Sequence, residues 1–143
     1  MILIAHRGNV DGPSKHENSP AQILRAISLG FDVELDVWYR DGWYLGHDAP
    51  EYRVSTTYLG SPKFWIHCKD YQTLVHALDV GLHCFYHTDE DYVLTSDGYI
   101  WAYPGKPGGV RTICVMPERS GQSVSGFSGV CSDWINRYKA DPV

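Results

Sequence analysis

Hydrophobic residues along this chain form short runs that are separated by polar, glycine-rich and proline-rich segments. The first run, residues 2–5, is apolar and largely β-branched, and it gives way to a loop at Gly8. Residues 31–37 alternate between apolar and acidic side chains, which predicts a strand with two different faces. Residues 63–70 contain a third apolar run with strand character.

Two segments carry the sequence signals of helix ends. The first has Ser19 in the N-cap position, Pro20 at the first helical position and Gly30 as the stop. The second is capped by Asp70 and ends at Gly81. The order strand, helix, strand, helix favours βαβ units around a parallel sheet.

The pattern changes after residue 82, where apolar runs continue but helix signals become weak. Four further short strands are predicted, at residues 83–87, 99–103, 112–116 and 129–133. The segments between them are rich in Gly, Pro and Asp and indicate loops or single turns. A short terminal helix is predicted over residues 134–143. About seven short strands with few helices predict an α/β fold, an abbreviated (β/α) TIM-type barrel, with a strongly curved open sheet as the alternative.

Length and charge restrict the class of protein. With 143 residues, 43% of them hydrophobic and 20% charged, the chain can form one core, so we predict a single domain over residues 1–143. The formal charge of −5 argues against a protein that binds nucleic acid, because that needs a basic face. The N-terminal apolar run is too short for a signal peptide or a membrane span, and we expect a cytoplasmic protein.

The four cysteines are widely spaced and include no CxxC pair. They are Cys68, Cys84, Cys114 and Cys131, and each lies in a short apolar run. Buried free thiols in a reducing compartment are expected, with disulfides as the alternative.

The acidic face of the second strand is the most unusual feature of the pattern. Alternation places Asp32, Glu34 and Asp36 on one face, which is out of place in a covered parallel sheet unless that face lines a site. Carboxylates held this close repel, and one would take up a proton unless a cation lay between them. A hard ion such as Mg²⁺ or Ca²⁺ would resolve the conflict. A solvated edge strand is the alternative.

Short motifs surround this strand in a characteristic order. They are His6-Arg7-Gly8, HENS at residues 16–19, Glu34 and Asp36 as an ExD pair, Asp41-Gly42, and His47-Asp48. Over residues 2–48, this order and spacing resemble the glycerophosphodiester phosphodiesterase family, within the superfamily of phosphatidylinositol phospholipase C-like phosphodiesterases. Beyond residue 70 the resemblance is weak.

The resemblance implies a (β/α) barrel and metal-assisted hydrolysis of a glycerophosphodiester or a related small phosphodiester. By position, it makes Glu34 and Asp36 ligands of one divalent metal ion, Mg²⁺ or Ca²⁺. It makes His6 and His47 the acid and base pair, without deciding which is which, and Arg7 a phosphate contact. An ion and a guanidinium that neutralise phosphate oxygens lower the barrier, and two histidines can divide the proton transfers at neutral pH.

The sequence departs from the family in two respects. Where the family has Glu-x-Lys as the source of a third carboxylate, this chain has His67-x-Lys69, so that His67 becomes the third metal ligand and Lys69 joins Arg7 as a phosphate contact. Imidazole weakens a site for Mg²⁺ or Ca²⁺ and favours a transition metal. Glu118, Asp133 or water are alternative sources of the missing oxygen. The chain is also far shorter than the roughly 250 residues of typical barrels.

Two other functions fit the same motifs. A non-catalytic module would keep the anion pocket of Arg7 and Lys69 and bind a phosphate or a headgroup. A cyclising phosphodiesterase, a lyase of the sphingomyelinase D type, would use the same metal and histidines. The pair of His6 and His47 favours an enzyme over a binding module, because a binder has no need of proton transfer.

The remaining histidines are weaker candidates. His16 is expected in a solvated loop, and His76 and His83 are expected to be structural. His87 ends the predicted fourth strand, where the catalytic residues of barrels are found, so a role in the site and a structural role both stay open.

Overall fold

One mixed sheet of ten strands dominates the computed structural model, which describes residues 1–139. The strands are β1 Ile2–His6, β2 Asp32–Tyr39, β3 Trp43–Leu45, β4 Tyr52–Val54, β5 Phe64–Cys68, β6 Cys84–Phe85, β7 Tyr92–Leu94, β8 Ile100–Ala102, β9 Thr112–Val115 and β10 Gly129–Ser132. The helices are α1 Pro20–Ser28, α2 Thr56–Leu59, α3 Tyr71–Asp79 and α4 Pro117–Ser120, followed by a 3₁₀ helix, Ile135–Tyr138.

Most of the sheet is parallel. Parallel pairing joins the strands in the order β6, β5, β2, β1, β10, β9 and β8. The antiparallel pairs are peripheral: β3 and β4 extend from the end of β2, and β7 pairs with β8. The carboxyl ends of the parallel strands therefore lie along the same edge of the sheet.

The predicted (β/α) TIM-type barrel is wrong. The sheet does not close, because no strand pairing in the described part of the chain joins β6 to β7 or β8. A (β/α) barrel needs a packed helix after each strand, and within residues 1–139 only α1 and α3, of nine residues each, fill that place. Beyond β6 the connections contain loops, β7 and the four-residue α4. The fold is mostly β, with an open sheet and more strands than predicted.

The two predicted helices with clear start and stop signals are confirmed. The Ser19 side chain accepts a hydrogen bond from the N–H of Gln22 at the start of α1, and the chain leaves the helix through Gly30 in a left-handed conformation. Asp70 accepts from the N–H of Thr73 at the start of α3. These side chains satisfy backbone donors that the first turn of a helix leaves free.

The two faces of the sheet are covered differently. Val33, Leu35 and Val37 of β2 are completely buried and pack in the larger core, which includes residues of α1 and α3. On the other face, Trp65, Phe85 and other residues form a second apolar cluster. The alternation predicted for β2 is therefore confirmed, and its acidic residues share a face with this second cluster.

Three other expectations concern the chain as a whole. All four cysteines are buried free thiols, as predicted. The predicted terminal helix corresponds to the 3₁₀ helix Ile135–Tyr138, and residues 140–143 lie outside the described residues. Within residues 1–139, none of the helices has the length and hydrophobicity that a membrane crossing requires.

Candidate functional site

A cavity of about 360 Å³ opens at the carboxyl ends of the parallel strands. All residues that the sequence predicts for the site line it: His6, Arg7, Glu34, Asp36, His47, His67 and Lys69. Strand register explains the convergence, because His6 of β1 pairs with Glu34 of β2, and Asp36 of β2 pairs with His67 of β5. Open parallel sheets bind their ligands at this edge.

Two buried carboxylates and one imidazole form the centre of the cavity. Glu34 is 2% exposed and Asp36 is 1% exposed. One ligand atom from each of Glu34, Asp36 and His67 lies within 4.8 Å of the other two. His67 Nδ1 is 2.9 Å from Asp36 Oδ1 and 3.9 Å from Glu34 Oε1. Two carboxylate oxygens and one ring nitrogen fit a divalent metal ion.

Asp36 is surrounded by donors and positive charges. Asn18 Nδ2 donates to its Oδ2 over 2.9 Å, Arg7 Nε lies 3.3 Å from the same oxygen, and Lys69 Nζ lies 3.8 Å from Oδ1. Burial acts to raise the pKa of Asp36, but the hydrogen bond and charge of His67 and the charge of Lys69 hold it well below its usual value. Asp36 is therefore the more readily ionised member of the acidic pair.

Glu34 has the opposite electrostatic environment. Burial and the charge of Asp36 raise the pKa of Glu34 above its ordinary value, against the lowering effects of His6 and His67. Its Oε2 accepts a hydrogen bond from the backbone N–H of Arg7 and lies 3.6 Å from His6 Nε2. Without an ion, Glu34 therefore retains a proton to higher pH than an ordinary glutamate. This agrees with the expectation that one of two carboxylates held close together takes up a proton.

His6 is oriented by a carboxylate from the far end of the chain. Its Nδ1 lies 2.7 Å from Oδ1 of Asp133, which also accepts a hydrogen bond from Asn9 Nδ2 over 2.8 Å. Because the carboxylate of Asp133 accepts the hydrogen bond, Nδ1 of His6 carries the proton, and the other ring nitrogen, Nε2, faces Glu34. Burial lowers the pKa of His6, but Glu34 and the hydrogen bond to Asp133 together raise it above the ordinary value.

His47 lies at the rim of the cavity rather than in its centre. Its side chain is 41% exposed, and its Nδ1 is 2.8 Å from Oδ1 of the exposed Asp48. Within residues 1–139, His47 makes no side-chain hydrogen bond to the other predicted site residues. The structure therefore brings His47 to the same cavity as His6 but leaves it free to contact a ligand.

A supporting layer of amides and carboxylates was missed by the sequence reasoning. Glu17 accepts hydrogen bonds from Arg7 Nη1 and from Asn9 Nδ2, both over 3.0 Å. Gln22 Nε2 donates to Asn9 Oδ1 over 2.7 Å. Asn18 is completely buried in a left-handed conformation, with φ of 63°. Glu17 and Asn18 belong to the HENS segment. Their position directly before the N-cap residue Ser19 was the sequence feature from which a role in the site could have been predicted.

The alternative oxygen ligands have other partners. Asp133 bonds to His6, whereas Glu118 accepts from Ser132 Oγ over 2.9 Å and from Tyr138 Oη over 3.4 Å. In the part of the chain that the structure describes, neither carboxylate belongs to the group that could hold a metal ion. His67 is therefore the third donor that the fold provides.

Another part of the cavity wall is largely apolar. Phe85, Trp101, Val115 and Met116 line it and are almost fully buried. His87 belongs to this wall, with its ring 4.7 Å from that of His67 and 4.4 Å from that of Tyr103. The structure thus places His87 at the cavity, whereas the exposed His16 does not line it.

Replacing His87 by phenylalanine is expected to reduce the loss of folding stability between about pH 6.5 and pH 4. Burial and the charge of His67 lower the pKa of His87 to about 4. Below the ordinary histidine value of about 6.5 the unfolded chain therefore binds a proton here that the folded protein excludes, which favours unfolding as the pH falls. Phenylalanine removes this proton uptake and keeps the ring contact with Tyr103.

Urea unfolding of the metal-free protein at pH 7 and at pH 4.5 measures this effect. A His16→Asn variant is the control, because His16 is an exposed loop residue. An identical pH dependence in the wild-type protein and in His87→Phe would contradict the role assigned to His87.

Comparison of the chain with protein-family models, with curated proteins and with solved structures gives no match. The family resemblance of residues 2–48 therefore stays a prediction.

Proposed function

We propose that this chain is a metal-dependent phosphodiester hydrolase that acts on a glycerophosphodiester or a related small phosphodiester. The observation that carries the proposal is the pair Glu34 and Asp36, buried together with His67 at the carboxyl ends of the strands. Burying two carboxylates side by side is costly, and such clusters are typical of functional sites.

The residues that would hold the ion are Glu34, Asp36 and His67. A bound divalent ion would act as a Lewis acid that neutralises charge on the phosphate oxygens. The ring nitrogen of His67 makes the site better suited to Mn²⁺ than to Ca²⁺, which prefers oxygen donors.

Two side-chain cations beside the acidic pair are placed to bind the phosphate. The guanidinium of Arg7 and the ammonium of Lys69 both contact Asp36 and both line the cavity. Guanidinium binds phosphate oxygens through two parallel hydrogen bonds, and lysine contributes a point charge. These residues would hold the diester with its phosphorus near the acidic centre.

The two histidines have different surroundings, which supports different roles. With Nδ1 donating to Asp133, neutral His6 presents the lone pair of Nε2 and is suited to accept a proton from the attacking water. Asp133 then stabilises the imidazolium that forms. His47 at the rim is suited to protonate the departing alcohol, which leaves through the entrance.

A binding module is the second candidate, and one observation favours it. Arg7 is already paired with Glu17 and Asp36, and Lys69 with Asp36, so these cations stabilise the acidic pair without an added ion. Such a site could bind phosphate without catalysing its transfer. The two candidates differ in whether a bound diester is cleaved.

Turnover of bis(4-nitrophenyl) phosphate tests the proposal. After dialysis against EDTA, release of nitrophenol is expected to fall to the uncatalysed rate, and addition of Mn²⁺ or Mg²⁺ is expected to restore it. Calorimetric titration with inorganic phosphate provides the comparison. Phosphate binding without nitrophenol release at any metal concentration would favour the binding module and contradict the hydrolase.

A further inference from the structure

The segment that follows β9 brings a charged side chain to the wall of the cavity. Met116 is buried in a left-handed conformation, with φ of 48° and ψ of 53°, which is strained for a residue other than glycine. Its N–H donates to the carbonyl oxygen of Cys131 over 2.8 Å, so the turn is tied to β10. The chain then enters α4, and Arg119 reaches the cavity. Strain of this kind concentrates at functional sites.

The two charged residues of α4 have different surroundings. Glu118 accepts hydrogen bonds from Ser132 and Tyr138 and does not line the cavity. Arg119, the next residue, lines the cavity and is exposed. The contacts of Glu118 thus anchor α4 in the orientation that presents Arg119 to a ligand.

Arg119 also differs from the other cations of the cavity. Arg7 forms ion pairs with Glu17 and Asp36, and Lys69 forms one with Asp36. Among residues 1–139, by contrast, the Arg119 side chain forms no ion pair with a carboxylate and no hydrogen bond. Its guanidinium can therefore bind an anionic ligand group without first giving up a protein partner.

We propose that Arg119 determines substrate specificity by binding a second anionic group, carried by one of the alcohol parts of the diester. This inference rests on the proposed phosphodiesterase function. Guanidinium pairs bidentately with carboxylate or phosphate. Val115 and Met116, which precede α4, also line the cavity and give it an apolar surface that suits a short uncharged linker. The preferred substrate thus carries one negative charge at its phosphodiester and another at the end of a short chain.

Two matched substrates test the inference. One is the 4-nitrophenyl phosphodiester of 3-hydroxypropanoic acid, and the other is its methyl ester, which has nearly the same shape without the second charge. With Mn²⁺ present, the wild-type protein is expected to prefer the acid by about 5- to 10-fold in kcat/KM, on the scale of a partly exposed charged hydrogen bond. Arg119→Gln should remove this preference, mainly through KM, and Arg119→Glu should reverse it.

Arg53→Gln is the matched control, because it removes the same charge from an exposed arginine of β4 that does not line the cavity. It should leave the preference unchanged. Turnover of both substrates with the same preference in wild type and Arg119→Gln would overturn the inference while the phosphodiesterase proposal stands. If neither substrate is cleaved, the phosphodiesterase proposal fails. Calorimetric titration with the two compounds then tests whether Arg119 binds the second anionic group, since equal affinities in wild type and Arg119→Gln would overturn that role.

Discussion

Replacing His6 by alanine is expected to lower kcat for a phosphodiester by about 10²–10⁴-fold at saturating metal, the usual scale of general acid or base catalysis. The reason is positional: Nδ1 is held by Asp133 and Nε2 lies 3.6 Å from Glu34, next to where the phosphate would bind. Nitrophenol release under single-turnover conditions measures the chemical step. The matched control is His16→Ala, which removes an exposed histidine outside the cavity.

The pH profile separates a base from a merely structural histidine. The hydrogen bond to the Asp133 carboxylate favours the protonated form of His6, so activity should fall as the pH decreases and His6 takes up a proton. Asp133→Asn removes this charge, so the acid limb should move to lower pH. Full activity in His6→Ala, with the metal still required, would show that His6 takes no part in proton transfer.

Replacing Asp36 by asparagine is expected to weaken Mn²⁺ binding by at least about 100-fold, because even residues that only support metal ligands typically contribute 10- to 100-fold. Asp36 is one of the two carboxylates that could bind the ion together with His67, and its low pKa keeps it ionised. Calorimetric titration of the metal-free protein measures the affinity. Asp32→Asn is the matched control: it alters the same face of β2, but Asp32 contacts Trp65 and Lys63 instead.

Loss of Asp36 also leaves Arg7 and Lys69 without their shared carboxylate, which is destabilising in a buried site. Glu34→Gln supplies a second variant with less effect on the fold. Because burial and the charge of Asp36 raise the pKa of Glu34, the neutral amide replaces the member of the pair that ionises less readily. Folded Glu34→Gln and Asp36→Asn proteins with wild-type Mn²⁺ affinity would exclude these carboxylates as ligands.

The parts of the fold that the sequence predicts correctly are those with local signals. Ser19 and Asp70 specify helix starts through their own side chains, and the alternation of β2 fixes which residues face the core. Strand β7 has no such signal: Tyr92 and Leu94 are exposed, and among the residues that the structure describes β7 pairs with β8 alone. Whether a sheet closes depends on which distant strands meet, and the barrel prediction failed on this point.

The site shows the same division between local and distant information. His6, Glu34 and His67 meet because neighbouring parallel strands end at one edge, which follows from the strand pattern. The contact between His6 and Asp133 joins residues 127 positions apart and requires β10 to lie beside β1. The predicted barrel already placed the last strand beside the first, but the strand pattern does not show which side chains at the strand ends form hydrogen bonds, and so Asp133 was predicted only as a possible metal ligand.

The proposed reaction is cleavage of a phosphodiester with the help of a metal ion at Glu34, Asp36 and His67. It can be followed by phosphorus NMR of glycerophosphoglycerol incubated with the Mn²⁺-loaded protein, with the paramagnetic ion removed by EDTA before each spectrum. We expect the diester signal to be converted into that of a phosphate monoester, with no conversion by Asp36→Asn. A cyclic phosphate as the final product would indicate the lyase, and an unchanged diester with metal bound would contradict the proposed cleavage.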